Sequence, residues 1–269
     1  MVPPPQLHHL KETRRRAARE LLGLYKRANA GHIGAGLSCL EILLDLYLRR
    51  AGPQDQVILS KGHAAAALYT VLAETGRISP DLLKTFYRDG TFLAAHPPCG
   101  GQLPAIPFGT GSLGHGLSLA AGLAFAGRYT GVQRQVYCVV SDGDCNEGST
   151  WEAALFAGHH RLTNLTVVVD RNRLQGFGAT EDVARLEPLA AKWSSFGFHV
   201  EEAADGNDFA SLHAAHATLA QAPAGPRCLV ARTTKGHGVS FMQGKMEWHY
   251  LPMDDAQYQQ ALADTDAHA

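Results

Sequence analysis

The run Val136-Tyr137-Cys138-Val139-Val140, followed at once by Ser141-Asp142-Gly143-Asp144, decides the fold. Five apolar residues without alternation predict a strand covered on both faces, the pattern of parallel sheets. The design returns in Leu165-Thr166-Val167-Val168-Val169, followed by Asp170-Arg171-Asn172. Thr150 to His160 reads as a helix between them, so the whole segment is strand, helix, strand. Each strand ends on short polar residues, and open α/β sheets bind ligands beyond the carboxyl ends of their strands.

The alternation continues outward in both directions. Leu7 to about Ala28 places Leu10, Ala17, Leu21, Leu24 and Tyr25 at helical spacing. Gly31-His32-Ile33-Gly34-Ala35-Gly36 interrupts it. Ser38 then stands as an N-cap, with Glu41 as capping-box partner, for a helix reaching Leu48. Val57–Ser60 predicts a short strand, Ala64–Thr75 a helix of small residues, and Ser79-Pro80 the start of a helix to about Tyr87. Residues 89–111 form a Gly- and Pro-rich stretch of a length that usually carries function. Leu113–Tyr129 is an Ala- and Gly-rich helix. A helix over Leu186–Phe196, a strand near Phe198–Glu201, a helix near Phe209–Ala220 and a strand Cys228–Arg232 complete the series. The expectation is one α/β domain spanning the chain, its parallel sheet flanked by helices on both faces, with residues 1–6 as a disordered lead.

Composition narrows the function. The 269 residues carry a formal net charge of −1, which offers nothing to nucleic acid or an anionic membrane. No apolar run approaches the roughly 20 residues of a membrane span. The start, Met1-Val2-Pro3-Pro4-Pro5, lacks a signal-peptide pattern, so a cytoplasmic location is the default. Five cysteines without a CxxC pair argue against a disulfide framework or a zinc site. The 14 histidines and 28 glycines instead suggest backbone-lined loops close to a polar ligand.

If the two central strands are neighbours, Asp142 and Asn172 converge. A carboxylate and an amide oxygen suit Mg²⁺ or Ca²⁺, with phosphate and water filling the remaining positions. Gly143 lets the backbone approach those phosphates, and the following helix can direct N–H groups at them. Strand-end Asp and Asn are also common turn residues, so the pair gains specificity only from its flanks.

Those flanks carry a family resemblance. Asp142-Gly143-Asp144, Glu147-Gly148, Trp151-Glu152-Ala153-Ala154, Gly158-His159, Asn164-Leu165 and Asp170-Arg171-Asn172-Arg173-Leu174-Gln175-Gly176 resemble the thiamine-diphosphate motif of transketolases. Gly31-His32-Ile33-Gly34, Ser60-Lys61-Gly62-His63-Ala64, His96-Pro97, Thr110-Gly111-Ser112-Leu113-Gly114-His115-Gly116 and Thr234-Lys235-Gly236-His237-Gly238-Val239-Ser240-Phe241-Met242 with Trp248-His249 are similar to further segments of that family, in the same order. The chain ends after the first of the three domains of a one-chain transketolase, and so resembles the N-terminal, pyrophosphate-binding subunit of a split enzyme.

The resemblance implies a thiamine-diphosphate-binding fold and a set of roles. Asp142, Asn172 and the Leu174 carbonyl hold Mg²⁺ (or Ca²⁺). His63, Gly111, Ser112, Leu113, Gly143 and Asp144 meet thiamine diphosphate, His63 at the diphosphate. His32, His96 and His249 line the substrate channel, where imidazoles can bond sugar hydroxyls or move protons. Glu147 joins the catalytic set as an acidic residue of the subunit-interface network. A two-carbon ketol unit passes from a ketose (phosphate) donor to an aldehyde or other acceptor. Activity requires a C-terminal subunit with the pyrimidine-binding domain, in an α₂β₂ assembly.

Four departures stand out: Ser141 for the first Gly of GDG, Ser112 for Pro, His115 for Gln, and Tyr250 for the Gly after His249. His213 and His216, at i,i+3 spacing, read as a solvated helix face. The alternatives are a deoxyxylulose-phosphate-synthase-like or 2-oxoacid-dehydrogenase-α-like subunit, and a non-catalytic homologue that only binds a partner.

Overall fold

The apolar runs pair side by side. In the computed structural model, which describes residues 7–98 and 103–268, β1 (Gln56–Leu59), β2 (Val136–Ser141), β3 (Leu165–Arg171), β6 (His199–Ala203) and β7 (Arg227–Arg232) form one sheet in the order β1-β2-β3-β7-β6. Every pairing in it is parallel. β2 and β3 are neighbours, with Ser141 opposite Asp170. The lead at residues 1–6 and Cys99 lie outside the described residues.

In the central strands β2, β3 and β7 side chains alternate between two buried faces, which is why these strands read as apolar runs, whereas the edge strand β6 is only partly covered. Leu59, Val139, Val168 and Leu229 join one core. It is covered by α1 (Leu7–Ala28), α2 (Ile33–Ser38), α3 (Leu40–Asp45), α4 (Ala65–Glu74) and α10 (Phe209–Ala220). Ile58, Val140, Val167 and Val230 join the other. That face is covered by α6 (His115–Thr130), α7 (Gly148–His159) and α9 (Leu189–Ser195). Three shorter or terminal pieces complete the described chain: α5 (Pro80–Leu83), α8 (Thr180–Val183) and α11 (Asp255–Ala267). A two-stranded hairpin, β4 (Leu174–Gln175) with β5 (Gly178–Ala179), follows β3. No helix of the described residues is long and apolar enough to cross a membrane.

Three local expectations are corrected. The helix expected from Ser38 to Leu48 is broken: α2 ends at Ser38, α3 begins at Leu40, and Leu46–Arg50 winds as a π-helix. Ser38 is no cap, because its hydroxyl bonds the Ala35 carbonyl at 3.2 Å and the Asp170 carboxylate at 2.6 Å. Glu41 is spent on Arg14 at 2.7 Å and on Asn207 at 3.1 Å. The helix from Ser79 does start there, with the Ser79 hydroxyl accepting from Asp81 N, but it stops at Leu83. His216 is buried rather than solvated, since α10 packs Leu212, Ala215, His216 and Leu219 inward, and it lies 3.7 Å from Asp45. His213 is exposed, as expected.

Candidate functional site

Parallel strands deliver their carboxyl ends to the same edge of the sheet. Ser60-Lys61-Gly62-His63 follows β1, Ser141–Asp144 closes and follows β2, Asp170–Leu174 closes and follows β3, and Thr233-Thr234-Lys235 follows β7. The chemistry expected from the sequence gathers there.

Asp142 is fully buried. Its Oδ2 accepts from Arg173 N at 2.6 Å, Arg171 Nη1 at 3.0 Å and Thr180 Oγ1 at 3.2 Å. Its Oδ1 is buried and has no partner. An orphaned carboxylate oxygen at a strand end costs free energy unless a cation or donor meets it. Asn172 is fixed from both ends: its Nδ2 donates to Ser38 Oγ at 3.2 Å and its Oδ1 accepts from Leu174 N at 3.0 Å. That amide oxygen keeps a second lone pair. Among the described residues no three His, Cys, Asp or Glu side chains form a metal cage. A hard cation here would therefore take Asp142, Asn172 and a carbonyl such as that of Leu174, with the rest from a ligand and water, which suits Mg²⁺. Burial, then the nearby Asp170, raises the Asp142 carboxyl to about 6.

Behind this pair lies a buried charge network. The Lys61 ammonium, with no exposure, contacts the Asp170 carboxylate and also donates to the Ala35 carbonyl at 3.0 Å. Thr233 Oγ1 bonds the other Asp170 oxygen. Ser38 ties the network to Asn172, so four chain segments are locked before any ligand arrives. A second knot holds Arg171, which bridges Asp142, Glu181 at 2.7 Å and Glu187 at 3.2 Å.

The loop before α6 is laid onto these strand ends. A Cβ on Gly62 would stand 2.6 Å from the Thr110 carbonyl, so only glycine lets Thr110-Gly111 approach β1. Leu113 packs over Gly143, whose absent Cβ would lie 3.1 Å from Leu113 Cδ1. Gly143 itself is helical, with φ −61°, so it serves close packing rather than a left-handed turn. Leu113 thus comes beside Gly143, next to Asp142, and Gly111 beside Gly62, with Ser112 exposed. The Asp144 carboxylate is bonded within the chain. Its Oδ1 accepts from Ser60 Oγ at 2.6 Å and Gly114 N at 2.8 Å. Its Oδ2 accepts from Ser141 N at 2.8 Å and Ser141 Oγ at 2.9 Å. With both oxygens occupied, Asp144 is a clamp joining β1, β2 and the α6 loop. Ser141 lies in β2 without a positive φ, so it replaces glycine without strain and adds a bond to this clamp.

His32, His63 and His249 form a triangle, their ring centroids 5.3, 5.0 and 5.4 Å apart. His32 adopts the left-handed conformation, φ 69°, a strained state for a non-glycine residue. It is held there by its N–H bond to the His249 carbonyl at 3.0 Å. His96 sits against Gly111, 3.4 Å from where a Cβ would be, and the Tyr69 hydroxyl lies 3.0 Å from the His96 carbonyl. Among the described residues the side chains of His32, His63 and His96 make no hydrogen bond to the chain, which leaves them free for a ligand. Burial is the first cause of lowered basicity in all of them: His32 falls to about 4, His249 to about 3, and His63 well below its usual range. His96, more open, is also lowered by burial. At neutral pH these imidazoles are uncharged. Glu147 is exposed at the start of α7, beside Gly114, and the triangle does not include it.

Several site residues are not singled out by the sequence reading. Lys61, Asp170, Arg171 and Lys235 stand within its motifs without a role of their own. The signal is present: Lys-Gly-His occurs twice, at Lys61-Gly62-His63 and Lys235-Gly236-His237, and Asp170 follows an apolar strand run directly. Tyr250, at the glycine position of the motif, donates its hydroxyl to the Gly176 carbonyl at 2.5 Å, joining the His249 segment to the hairpin after Asn172. A cavity of about 1130 Å³ lies apart from the site, between α1, α4, α5 and α11, but its Arg16, Arg27 and Lys84 are paired with Glu74, Glu20 and Asp81.

Comparison with known proteins agrees with this geometry. The family described as "Transketolase, thiamine diphosphate binding domain" matches residues 17–265. An apulose-4-phosphate transketolase subunit of Actinobacillus succinogenes is 41% identical over 235 residues, covering 84% of this chain and 84% of that protein. The 6-deoxy-6-sulfo-D-fructose transketolase subunit SqwG of a Clostridium species is 35% identical over 267 residues, covering 96% of this chain and 95% of that one. The solved transketolase of Campylobacter jejuni superimposes with a TM-score of 0.86 at 25% identity, covering 96% of this chain and 43% of that chain. The chain thus spans less than half the length of that solved enzyme.

Proposed function

The chain belongs to the transketolase family, and from that premise we propose that it is the N-terminal, pyrophosphate-binding subunit of a split transketolase. In this reading the whole chain is one cofactor-binding unit of a cytoplasmic enzyme. It moves a two-carbon ketol unit from a ketose phosphate to an aldehyde acceptor. The observation that carries the reading is the buried, unpartnered Oδ1 of Asp142 at the end of β2, beside Asn172. It asks for a cation, and a cation between two strand ends anchors a diphosphate.

Mg²⁺ (or Ca²⁺) would be held by Asp142 Oδ1, Asn172 Oδ1 and the Leu174 carbonyl, and the N–H groups of Gly111–Leu113 would face the cofactor. Thiamine diphosphate, when bound, supplies the carbon nucleophile for the two-carbon unit. The chain's own residues do the rest. Arg171 keeps its place on Asp142 Oδ2, so the carboxylate stays oriented while Oδ1 turns to the metal. His63, which follows Lys61 after β1, would contact the diphosphate. His32, His96 and His249, neutral at working pH, donate to or accept from the hydroxyl and carbonyl oxygens of the sugar. Glu147, exposed, belongs to the contact with other subunits. The aminopyrimidine end needs a second chain with the pyrimidine-binding domain, in an α₂β₂ assembly.

The test is reconstitution. The chain alone, with thiamine diphosphate and Mg²⁺, should not turn over a ketose phosphate, and addition of the partner should start two-carbon transfer. Turnover by the single chain would overturn the half-enzyme reading. Reaction with pyruvate in place of the ketose would assign the chain to a different thiamine-diphosphate reaction.

A further inference from the structure

Lys235 is an anomaly among the buried charges. It is 1% exposed, yet among the described residues no carboxylate pairs with it. Its ammonium instead lies 2.8 Å from Nδ1 of His249. Burial, and then the neighbouring Lys61, lowers its basicity to about 8, so it remains mostly protonated at neutral pH. The Asp142 and Asp170 carboxylates act on it only from a distance; a buried cation without a direct partner is costly, and structures keep such groups where they serve a site.

We propose that Lys235 is a positioning residue that locks His249 into the Nε2–H tautomer, so that this imidazole presents a hydrogen-bond donor to an oxygen of the bound sugar. An ammonium has three N–H donors and no acceptor, so the only bond it can make to an imidazole nitrogen is to a bare one. Nδ1 must therefore be unprotonated, and in a neutral ring the proton sits on Nε2. Nε2 makes no hydrogen bond among the described residues, and it lies 3.6 Å from the point where a Gly176 Cβ would be, in the gap between the histidine triangle and the hairpin. Three other contacts hold the ring in place: the His249 carbonyl accepts from His32 N, Tyr250 packs its ring 4.8 Å away, and the Tyr250 hydroxyl is tied to Gly176. Lys235 in turn is set by Gly34, whose absent Cβ would lie 3.0 Å from the Lys235 Cγ. The identity of the oxygen served rests on the function proposed above, but the tautomer does not.

Long-range proton–nitrogen correlation spectra of the full chain, labelled with ¹⁵N-histidine, report which ring nitrogen carries the proton. The His249 signals are those lost in His249→Gln. The expected pattern is a bare Nδ1 and a protonated Nε2, changing to a mixture of tautomers in Lys235→Met and restored in Lys235→Arg. A protonated Nδ1 in the unsubstituted chain overturns the proposal whatever the variants do, as does an unchanged tautomer in Lys235→Met. Since burial costs Lys235 more than the distant Asp142 and Asp170 return, the melting temperature of Lys235→Met should not fall. In the enzyme assembled with its partner, Lys235→Met should lower kcat about three- to tenfold, the effect of one misdirected neutral hydrogen bond. Weakened thiamine-diphosphate binding with the tautomer intact would assign Lys235 to the cofactor instead, and overturn the proposal.

Discussion

Around Asp142 and Asp170 nearly every polar atom is satisfied by the chain itself, while a few residues away the side-chain nitrogens of His32 and His63 bond nothing in it. The first region is a prebuilt socket with one open oxygen. The second is a set of free donors and acceptors held by backbone contacts. The difference teaches where each kind of substitution should be felt. Changes in the socket should reach the fold, because its charges are buried and mutually dependent. Changes in the triangle should reach the ligand and leave the fold alone.

The sharpest way to break that comparison is Lys61→Met. It leaves Asp170 buried with only the Ser38 and Thr233 hydroxyls, and breaking a buried ion pair from one side costs about 3–5 kcal/mol. A melting temperature lower by roughly ten degrees is expected by calorimetry. The double variant Lys61→Met, Asp170→Asn should regain part of the loss, since no uncompensated charge remains. A fall of under about 1 kcal/mol in the single variant would mean the socket is not prebuilt.

Asp142→Asn tests the one open oxygen. It removes the charge that would meet the cation and keeps an acceptor for Arg173 N. Calorimetric binding of thiamine diphosphate with Mg²⁺ to the assembled subunits should weaken by about a hundredfold. Full retention of affinity would remove Asp142 from the metal.

The part of the socket that was legible in the sequence is the part made by chain geometry. Unbroken apolar runs gave away a sheet buried on both faces, and its strand ends then had to carry Asp142 and Asn172. α1, expected from Leu7 to about Ala28 on its apolar spacing, and α10, expected near Phe209–Ala220, both form there. What was illegible is long-range pairing between polar side chains. Ser38 and Glu41 have the spacing of a capping box, yet both are consumed by partners far away in sequence: Asp170, Arg14 and Asn207. His216 has the look of a surface residue until α3 is laid against it and brings Asp45 close. The bonds of Asp144 are hidden for the same reason, since nothing local says that Ser60 and Gly114 will claim its Oδ1. The triangle was readable as three separate motif histidines, but the lysine beside His249 was not.

His249→Gln addresses the other region. It should cost about tenfold in kcat/KM, the worth of one neutral hydrogen bond, with the melting temperature unchanged within roughly a degree. A large loss of stability would show that the imidazole is a packing element, and the contrast between the regions would collapse.

The smallest effect is also the finest measure of the contrast. Burial holds His249 at about 3 and His32 at about 4, whereas both start from 6.5 in the unfolded chain. Between those values the unfolded chain binds protons that the folded chain does not, so stability is fully present above pH 6.5 and declines as pH falls toward 4. Each histidine can contribute at most roughly 1.4 kcal/mol per pH unit, and less where water reaches the ring. His216, held at about 4 by burial that outweighs the nearby Asp45, supplies the core reference. Denaturant titrations at several pH values should show the acid slope flattened by His216→Gln, and flattened less by His249→Gln, whose ring is partly open to water. Equal flattening would mean that the histidine region is as closed as the core. Its free nitrogens would then be sealed in before any ligand came, and the division between socket and triangle would not describe this protein.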